Sequence, residues 1–513
     1  MSRLLLAAMG AAILAWHLAV LSARGPFYLG TNNDPDYTYL LNSLNLARGL
    51  PVFHVDHPGT PVQLLGAAVL RISSPFASKS ELAAAVIRNP EHYLRIMAWS
   101  FISLYAVVLT VVAFVVLRST GSLLAALAVQ ATPLLSATIP LNASCVAPEV
   151  LLLSLSSLMA MVVFAALRPG SGLSSRRMGA AFGVIIGVGI ATKVTFLPLA
   201  LLPLFLLPDR PAWAAYAVAT VGSCAVATMP AWPRLEAALG FYGRIATHTG
   251  RYGYGPAGLF DPPAYARNLG RLFASEPAMA AVLLTALAAL AIDCSRIHGR
   301  HDVRKALLGC IAALVASFLL VARHPGDIAH DRYLIPALGL TGATAALAWI
   351  LVAPAVLRSR TACAALALGA VVLAVFQGSE LTAATRGLVS LRRDQEAVIS
   401  FARTNHPGAK IAYLYRSSNP GYALYFGDET AGYRYGPLIA AAYPDVRCWN
   451  NWTQAFETGP ETGPSLLFQG NPAAFARFDW NRLLGKSATK RYGNETEALF
   501  LLVSPPAASG SSR

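Results

Sequence analysis

The sequence is short of charge. Only 13% of its 513 residues are Asp, Glu, Lys or Arg, whereas a soluble domain carries about 25%. With 55% hydrophobic residues, there is too little polar surface to wrap a large water-soluble core. Cysteine is scarce as well: there are six, with no CxxC or metal-type spacing, which argues against a disulfide framework or a zinc site. Cys145, Cys224, Cys294, Cys310 and Cys363 lie within or at the ends of apolar runs, and Cys448 stands alone. No internal repeat is visible. The net charge of +15 does not point to nucleic acid, because the basic residues sit mainly in short loops between apolar runs, as the positive-inside rule places them.

What the chain has in quantity is long apolar runs, at 4–22, 95–117, 121–139, 146–167, 178–208, 212–231, 278–293, 305–322, 333–353 and 361–377. A helix crossing about 30 Å of hydrocarbon needs about 20 such residues, so the expected class is a polytopic α-helical membrane protein. Arg3 before the first run also suits a signal peptide, but the run is long for one and Leu21-Ser22-Ala23 is a poor cleavage site. Retention as a first helix is expected.

The run 178–208 is too long for one crossing and is broken by Lys193 and Pro198. Read as two short helices meeting at Lys193, it puts Arg296, Arg300, Arg304, Lys305, Arg358 and Arg360 inside, together with Arg118, Arg168, Arg176 and Arg177. About eleven crossings result, with a cytoplasmic N-terminus. The expected membrane domain is 1–378 and the extracytoplasmic C-terminal domain 379–513, a small α/β or α+β fold with a helix at 391–404 and a strand near Lys410–Tyr415. Within the first domain, the outer face carries the segments 23–94 and 232–277. The apolar stretch 61–72 is too short to span and is expected in the interface. The inner connectors are too short to fold, so any chemistry belongs to the outer face.

The candidate residues cluster there. Asp34 and Asp36, in Asn32-Asn-Asp-Pro-Asp-Tyr-Thr-Tyr39, suit a general base or a divalent-cation site. An Asp-Pro turn in which Asp34 caps the next helix is the plainer reading of the same residues. Asp56-His57-Pro58 leads into the interfacial stretch or is an ordinary turn, and His-Pro-Gly recurs at 324–326 and 406–408. Arg323, His330 and Arg332 oppose the positive-inside trend, as a lipid-phosphate site would require, since Arg matches phosphate oxygens bidentately. They could equally snorkel or pair with Asp327 and Asp331. Lys193 within an apolar run needs a cavity or a partner, and Glu149 is a candidate for it, or a carboxylate favoured by the helix dipole. Arg244, His248 and Arg251, mixed with Tyr242, Tyr252 and Tyr254, suit sugars and phosphates; interfacial tyrosine anchors look the same. The sequons at Asn142, Asn451 and Asn494 are short enough to arise by chance.

These pieces resemble the GT-C superfamily of membrane glycosyltransferases, in its branch of protein mannosyltransferases and bacterial transferases that modify lipid A with aminoarabinose or galacturonic acid. The carrying features are the acidic pair with Tyr37 and Tyr39, Ala47-Arg-Gly49, His57-Pro58, Gly183-Val-Ile-Ile-Gly-Val-Gly-Ile-Ala-Thr-Lys193 and Asp331-Arg-Tyr-Leu-Ile-Pro336. They run in order over residues 1–355. The chain departs from the family pattern in having Asp-Pro-Asp where an adjacent Asp-Glu is usual, and His-Pro-Gly where two prolines are usual.

The resemblance implies inverting transfer of a sugar from a polyprenyl-phosphate donor to a lipid, glycan or protein acceptor. Asp34 or Asp36 would act as base and possible Mg or Mn ligand. Arg332, Lys193, His330 and Arg323 would bind the donor phosphate. Tyr37, Tyr39, His57, Glu149, Arg244, His248 and Arg251 would bind substrate. The expected location is a bacterial inner membrane. A flippase of a lipid-linked saccharide and a non-catalytic scaffold are the alternatives.

Overall fold

In the computed structural model the apolar runs are helices. The structure describes residues 1–56, 59–168, 170, 173–259, 261–294, 301–323, 328–357, 360–450, 453–456 and 465–504. In chain order the helices are α1 (Ser2–Arg24), α2 (Asn33–Ala47), α3 (Thr60–Ser73), α4 (Lys79–Arg88), α5 (Pro90–Thr120), α6 (Leu123–Gln130), α7 (Thr138–Ala143), α8 (Pro148–Ala166), α9 (Ser175–Thr192), α10 (Arg210–Thr228), α11 (Leu235–Thr247), α12 (Pro262–Ser275), α13 (Pro277–Cys294), α14 (His301–Ala322), α15 (Ile335–Val356), α16 (Arg360–Asn405), α17 (Pro420–Ala431) and α18 (Gly436–Ala442). The chain forms two compact units: 1–20, 54–65 and 98–384 in one, and 21–53, 66–97 and 385–513 in the other.

The first unit is helical. Among the described residues six spans are long and apolar enough to cross a membrane: Ser2–Arg24, Pro90–Thr120, Pro148–Ala166, Arg210–Thr247, His301–Ala322 and Asp331–Ala353. The pair α12 and α13, bent by 92°, adds a seventh if it is one broken span. This is an integral membrane protein. The expected count of eleven goes beyond these. One reason is visible at 121–139, where the run is cut into α6, a short 3-10 turn at Thr132–Leu135 and α7, with Pro133 at the start of the 3-10 turn.

The break expected at Lys193 is present. Its backbone is extended (φ −165°, ψ 134°), and a 3-10 helix holding Pro198 and Pro203 follows over Val194–Phe205. Before the break, α9 lays a glycine stripe against α10. A Cβ at Gly179 would sit 2.2 Å from the Ala212 carbonyl oxygen, and one at Gly187 would sit 2.3 Å from that of Thr220. Small residues let helix backbones approach this closely in a membrane, where packing replaces the hydrophobic drive.

The second unit holds a six-stranded mixed sheet of β1 (Ile411–Tyr413), β2 (Arg447–Asn450), β3 (Ala455–Phe456), β4 (Ser465–Gly470), β5 (Ser487–Gly493) and β6 (Ala498–Val503), in the order β3-β2-β1-β4-β6-β5. The strand pairs β1–β2 and β1–β4 are parallel; the other neighbours are antiparallel. One face buries Trp449, Phe468, Phe475, Trp480 and Phe500, and the other packs Leu467 and Leu499 with Phe401 and Ala402 of α16. The small α/β domain with a helix ending near 404 and a strand near 411 is therefore as expected. In the same unit α2 is buried on nearly every side although it is rich in Asn. Its amides bond carbonyls at the end of α17: Asn42 Nδ2 donates to Thr430 O at 3.1 Å and Asn45 Nδ2 to Ala431 O at 3.0 Å. Buried polar groups survive only when bonded in this way.

Candidate active site

In the helical unit, polar groups gather around Tyr333. Glu149 lies in the first turn of α8 behind Pro148, where the helix dipole favours a carboxylate. Lys193 leaves the end of α9 and places Nζ 2.6 Å from Glu149 Oε1, with both side chains 2% exposed. The same ammonium stands 4.5 Å from the centroid of the Tyr333 ring, and the Arg332 guanidinium 5.5 Å from it. The Tyr333 hydroxyl is 3.4 Å from that of Tyr252, a residue in left-handed backbone (φ 55°). Next to this group Arg271 of α12 pairs with Asp331 at 3.3 Å, and Thr138 donates to buried Glu276 at 2.6 Å.

The two arginines are not saturated. Among the described residues, Nε and Nη1 of Arg271 and Nε of Arg332 are buried without hydrogen-bond acceptors. A buried N–H left unbonded costs about 1–3 kcal/mol, more on a charged group, so these three, on residues that flank Asp331 in space and in sequence, are suited to an anion. Arg271 was not singled out in the sequence. The only signal for it there was an Arg on an outer segment rich in Arg and Tyr.

In the other unit, the two aspartates of the acidic pair differ. Asp34 is exposed, whereas Asp36 is completely buried, its Oδ2 3.6 Å from Nη2 of Arg24. Tyr37 is also fully buried and donates its hydroxyl to Glu91 Oε1 at 2.8 Å. The buried phenol, facing that carboxylate, has its pKa pushed well above the ordinary tyrosine value, by desolvation first and by Glu91 second. Glu91 also accepts from the backbone N–H of Phe27 and of Tyr28, each at 2.9 Å. Tyr39 is buried in the same helix.

Two solved structures extend along almost the whole chain. ArnT from Cupriavidus metallidurans bound to undecaprenyl phosphate is similar with a TM-score of 0.51 and 13% identity, over 98% of this chain and 99% of that one. The apo state of the same ArnT gives a TM-score of 0.54 and 14% identity, over 97% and 99%. The chain has the ArnT fold. No family model and no curated protein sequence matches it.

On this ArnT fold the remaining expected residues divide. Arg323 spends its guanidinium on backbone carbonyls, donating to Leu259 O at 2.7 Å and to Ala246 O at 2.8 Å. It thereby ties the last turn of α11 to the loop before α12 beside a cavity of about 700 Å³. Apart from a few polar side chains, among them Thr195, Tyr242 and His248, that cavity is lined mainly by apolar atoms. His248 Nδ1 is 2.9 Å from Thr247 Oγ1. Arg244 stands 5.8 Å from the centre of the Tyr254 ring. Backbone alone is described for Arg251 and His330, in short 3-10 turns, and their side chains, like His57 and Asp327, lie outside the described residues. Arg323 and Lys193 therefore have protein acceptors already, and the open donors belong to Arg332 and Arg271. For the Mg or Mn expected at the acidic pair, the carboxylate open to an ion is that of exposed Asp34. Among the described residues no three His, Cys, Asp or Glu side chains gather to hold one, and the carboxylate of Asp36 already faces a guanidinium.

Proposed function

We propose that the chain is a glycosyltransferase of the GT-C kind that takes a sugar from a polyprenyl-phosphate carrier on the outer face of a bacterial inner membrane. The observation that carries this reading is the set of three buried guanidinium N–H groups on Arg271 and Arg332 that lack acceptors among the described residues. They suit the oxygens of a phosphate monoester, which a planar guanidinium binds through two parallel bonds. That an ArnT of the same fold binds undecaprenyl phosphate supports a lipid-linked phosphate over a soluble one. An outer-face transferase needs a donor of that kind, since nucleotide sugars are confined to the cytoplasm.

The reaction is a single displacement. Asp34, the exposed member of the pair, takes the proton from an acceptor hydroxyl. The acceptor oxygen bonds to the anomeric carbon as the bond from that carbon to the phosphate oxygen breaks, with inversion. The departing polyprenyl phosphate gains negative charge, which Arg332 and Arg271 offset. Stabilising such charge is commonly the largest single contribution to rate, about 3–4 kcal/mol for one well-placed donor. The ion pair of Lys193 with Glu149 holds the Tyr333 ring beside these donors. The acceptor is a lipid, glycan or protein hydroxyl.

The test is release of free polyprenyl phosphate by the purified chain in lipid nanodiscs, given a panel of polyprenyl-phosphate sugars and membrane-extract acceptors. Release that stops in Asp34→Asn is the expected result. If a labelled lipid-linked sugar binds or crosses the bilayer and no donor is ever consumed, a flippase or scaffold replaces the transferase.

A further inference from the structure

The backbone leading into Asp34 and Asp36 is clamped from two sides within its own unit. On one side is Glu91, which holds the N–H groups of Phe27 and Tyr28 and the hydroxyl of Tyr37. The other side belongs to the C-terminal sheet. The N–H of Gly30 donates to Ser418 Oγ at 2.9 Å, and that hydroxyl donates to Glu497 Oε2. The opposite oxygen of Glu497 accepts from the Ser418 N–H at 2.7 Å and from Gln469 Nε2 at 2.6 Å. Glu497 is completely buried, and Ser418 and Gln469 are nearly so. A Cβ at Gly30 would fall 2.1 Å from the carbonyl oxygen of Arg416, so the two backbones touch where no side chain fits. Arg416 itself is held in left-handed backbone (φ 61°). Thr31, the next residue, donates to Gln395 Oε1 at 3.2 Å.

The direction of these bonds matters. A carboxylate accepts and never donates, so Glu497 takes the one hydrogen of the Ser418 hydroxyl. The lone pairs of Oγ are then turned to Gly30. We propose that Glu497, acting through Ser418, is a positioning residue for the acidic segment: the C-terminal sheet sets where the backbone of Asp34 and Asp36 begins. This rests on the reading of Asp34 as the base. It also explains a costly feature, since a fully buried carboxylate is a poor way to stabilise a fold.

The experiment compares the full chain in nanodiscs with its Ser418→Ala and Glu497→Gln forms, by hydrogen exchange and by polyprenyl phosphate release. Ser418→Ala removes the acceptor of the Gly30 N–H. Expected are exchange at residues 25–33 faster by about tenfold or more, with β4 and β6 still protected. Turnover falls by about tenfold with little change in donor KM. Glu497→Gln keeps one oxygen for the Ser418 and Gln469 N–H groups but turns its NH2 to the Ser418 hydroxyl, which loses its acceptor, so both readouts are expected to shift the same way as in Ser418→Ala, by less. Unchanged exchange at 25–33 overturns the clamp. Loosening spread equally over the sheet makes Ser418 merely structural, and local loosening with unchanged kcat removes the link to Asp34. If the wild type releases nothing from any donor, the assignment of the base fails, and the exchange result alone decides the clamp.

Discussion

Lys193 and Glu149 show how much rests on single side chains here. Each is almost fully buried, and each is the other's counter-charge at 2.6 Å. Removing one partner leaves an uncompensated buried charge, which costs about 3–5 kcal/mol. Glu149→Leu or Lys193→Met alone is expected to lower the thermal midpoint sharply in nanodiscs. The double variant should recover much of the loss, because two well-packed apolar side chains need no solvation. Arg332→Ala is expected to behave differently, since its open Nε–H has no acceptor among the described residues, whereas Arg271→Ala also strips buried Asp331 of its ion pair and should cost stability as well. For Arg332→Ala stability should hold while turnover falls about 100- to 1000-fold; a loss confined to stability would remove it from the donor site. The arginines also mark how far the residue scale is legible in sequence. Arg332 stood out because a cation on an outer loop runs against the charge rule. Arg271 did not, because what distinguishes it is the absence of an acceptor, a property of its surroundings rather than of its neighbours in the chain.

At the scale of elements, α9 and the C-terminal sheet each make a claim that can be checked. The stripe Gly179, Gly183, Gly187 brings α9 against the backbone of α10, so Gly183→Leu must push the helices apart. A destabilisation of about 1–3 kcal/mol or more is expected from overpacking, read as a lower thermal midpoint. The stripe is plain in the sequence, but which helix it meets is not. In the sheet domain, burial raises the pKa of the Glu497 carboxyl above the usual carboxylate range, against the lowering effect of its bonds to Gln469 and Ser418. The folded chain therefore holds that proton more tightly than the unfolded one. The resulting stability is complete below the ordinary carboxylate pKa and is lost as pH rises through the raised folded value. Glu497→Gln has no such proton to lose. Its stability relative to wild type should therefore increase from about pH 4 to about pH 8, and a constant difference across that range would contradict the buried ionisation.

For the whole molecule, the testable property is orientation. The charge rule puts the C-terminal domain outside and the connector after α8 inside. A cysteine introduced at exposed Lys410 should react with a membrane-impermeant thiol reagent in intact cells, and one at exposed Arg176 only after permeabilisation. The reverse pattern would invert the assignment and move the proposed chemistry to the cytoplasmic face. By itself the sequence determined the class of molecule, the helical nature of its apolar runs though not the number of crossings, the break at Lys193 and the small C-terminal α/β fold. Transfer into lipid and strand alternation are sums over neighbouring residues, so a window along the chain contains them. Only the tertiary structure decided that Asp34 is exposed while Asp36 faces Arg24. It alone paired Lys193 with Glu149, 44 residues away, and joined Gly30 to Ser418, 388 residues away. Those outcomes depend on which buried polar group meets which, and a buried donor takes the acceptor that packing brings to it, at whatever separation along the chain.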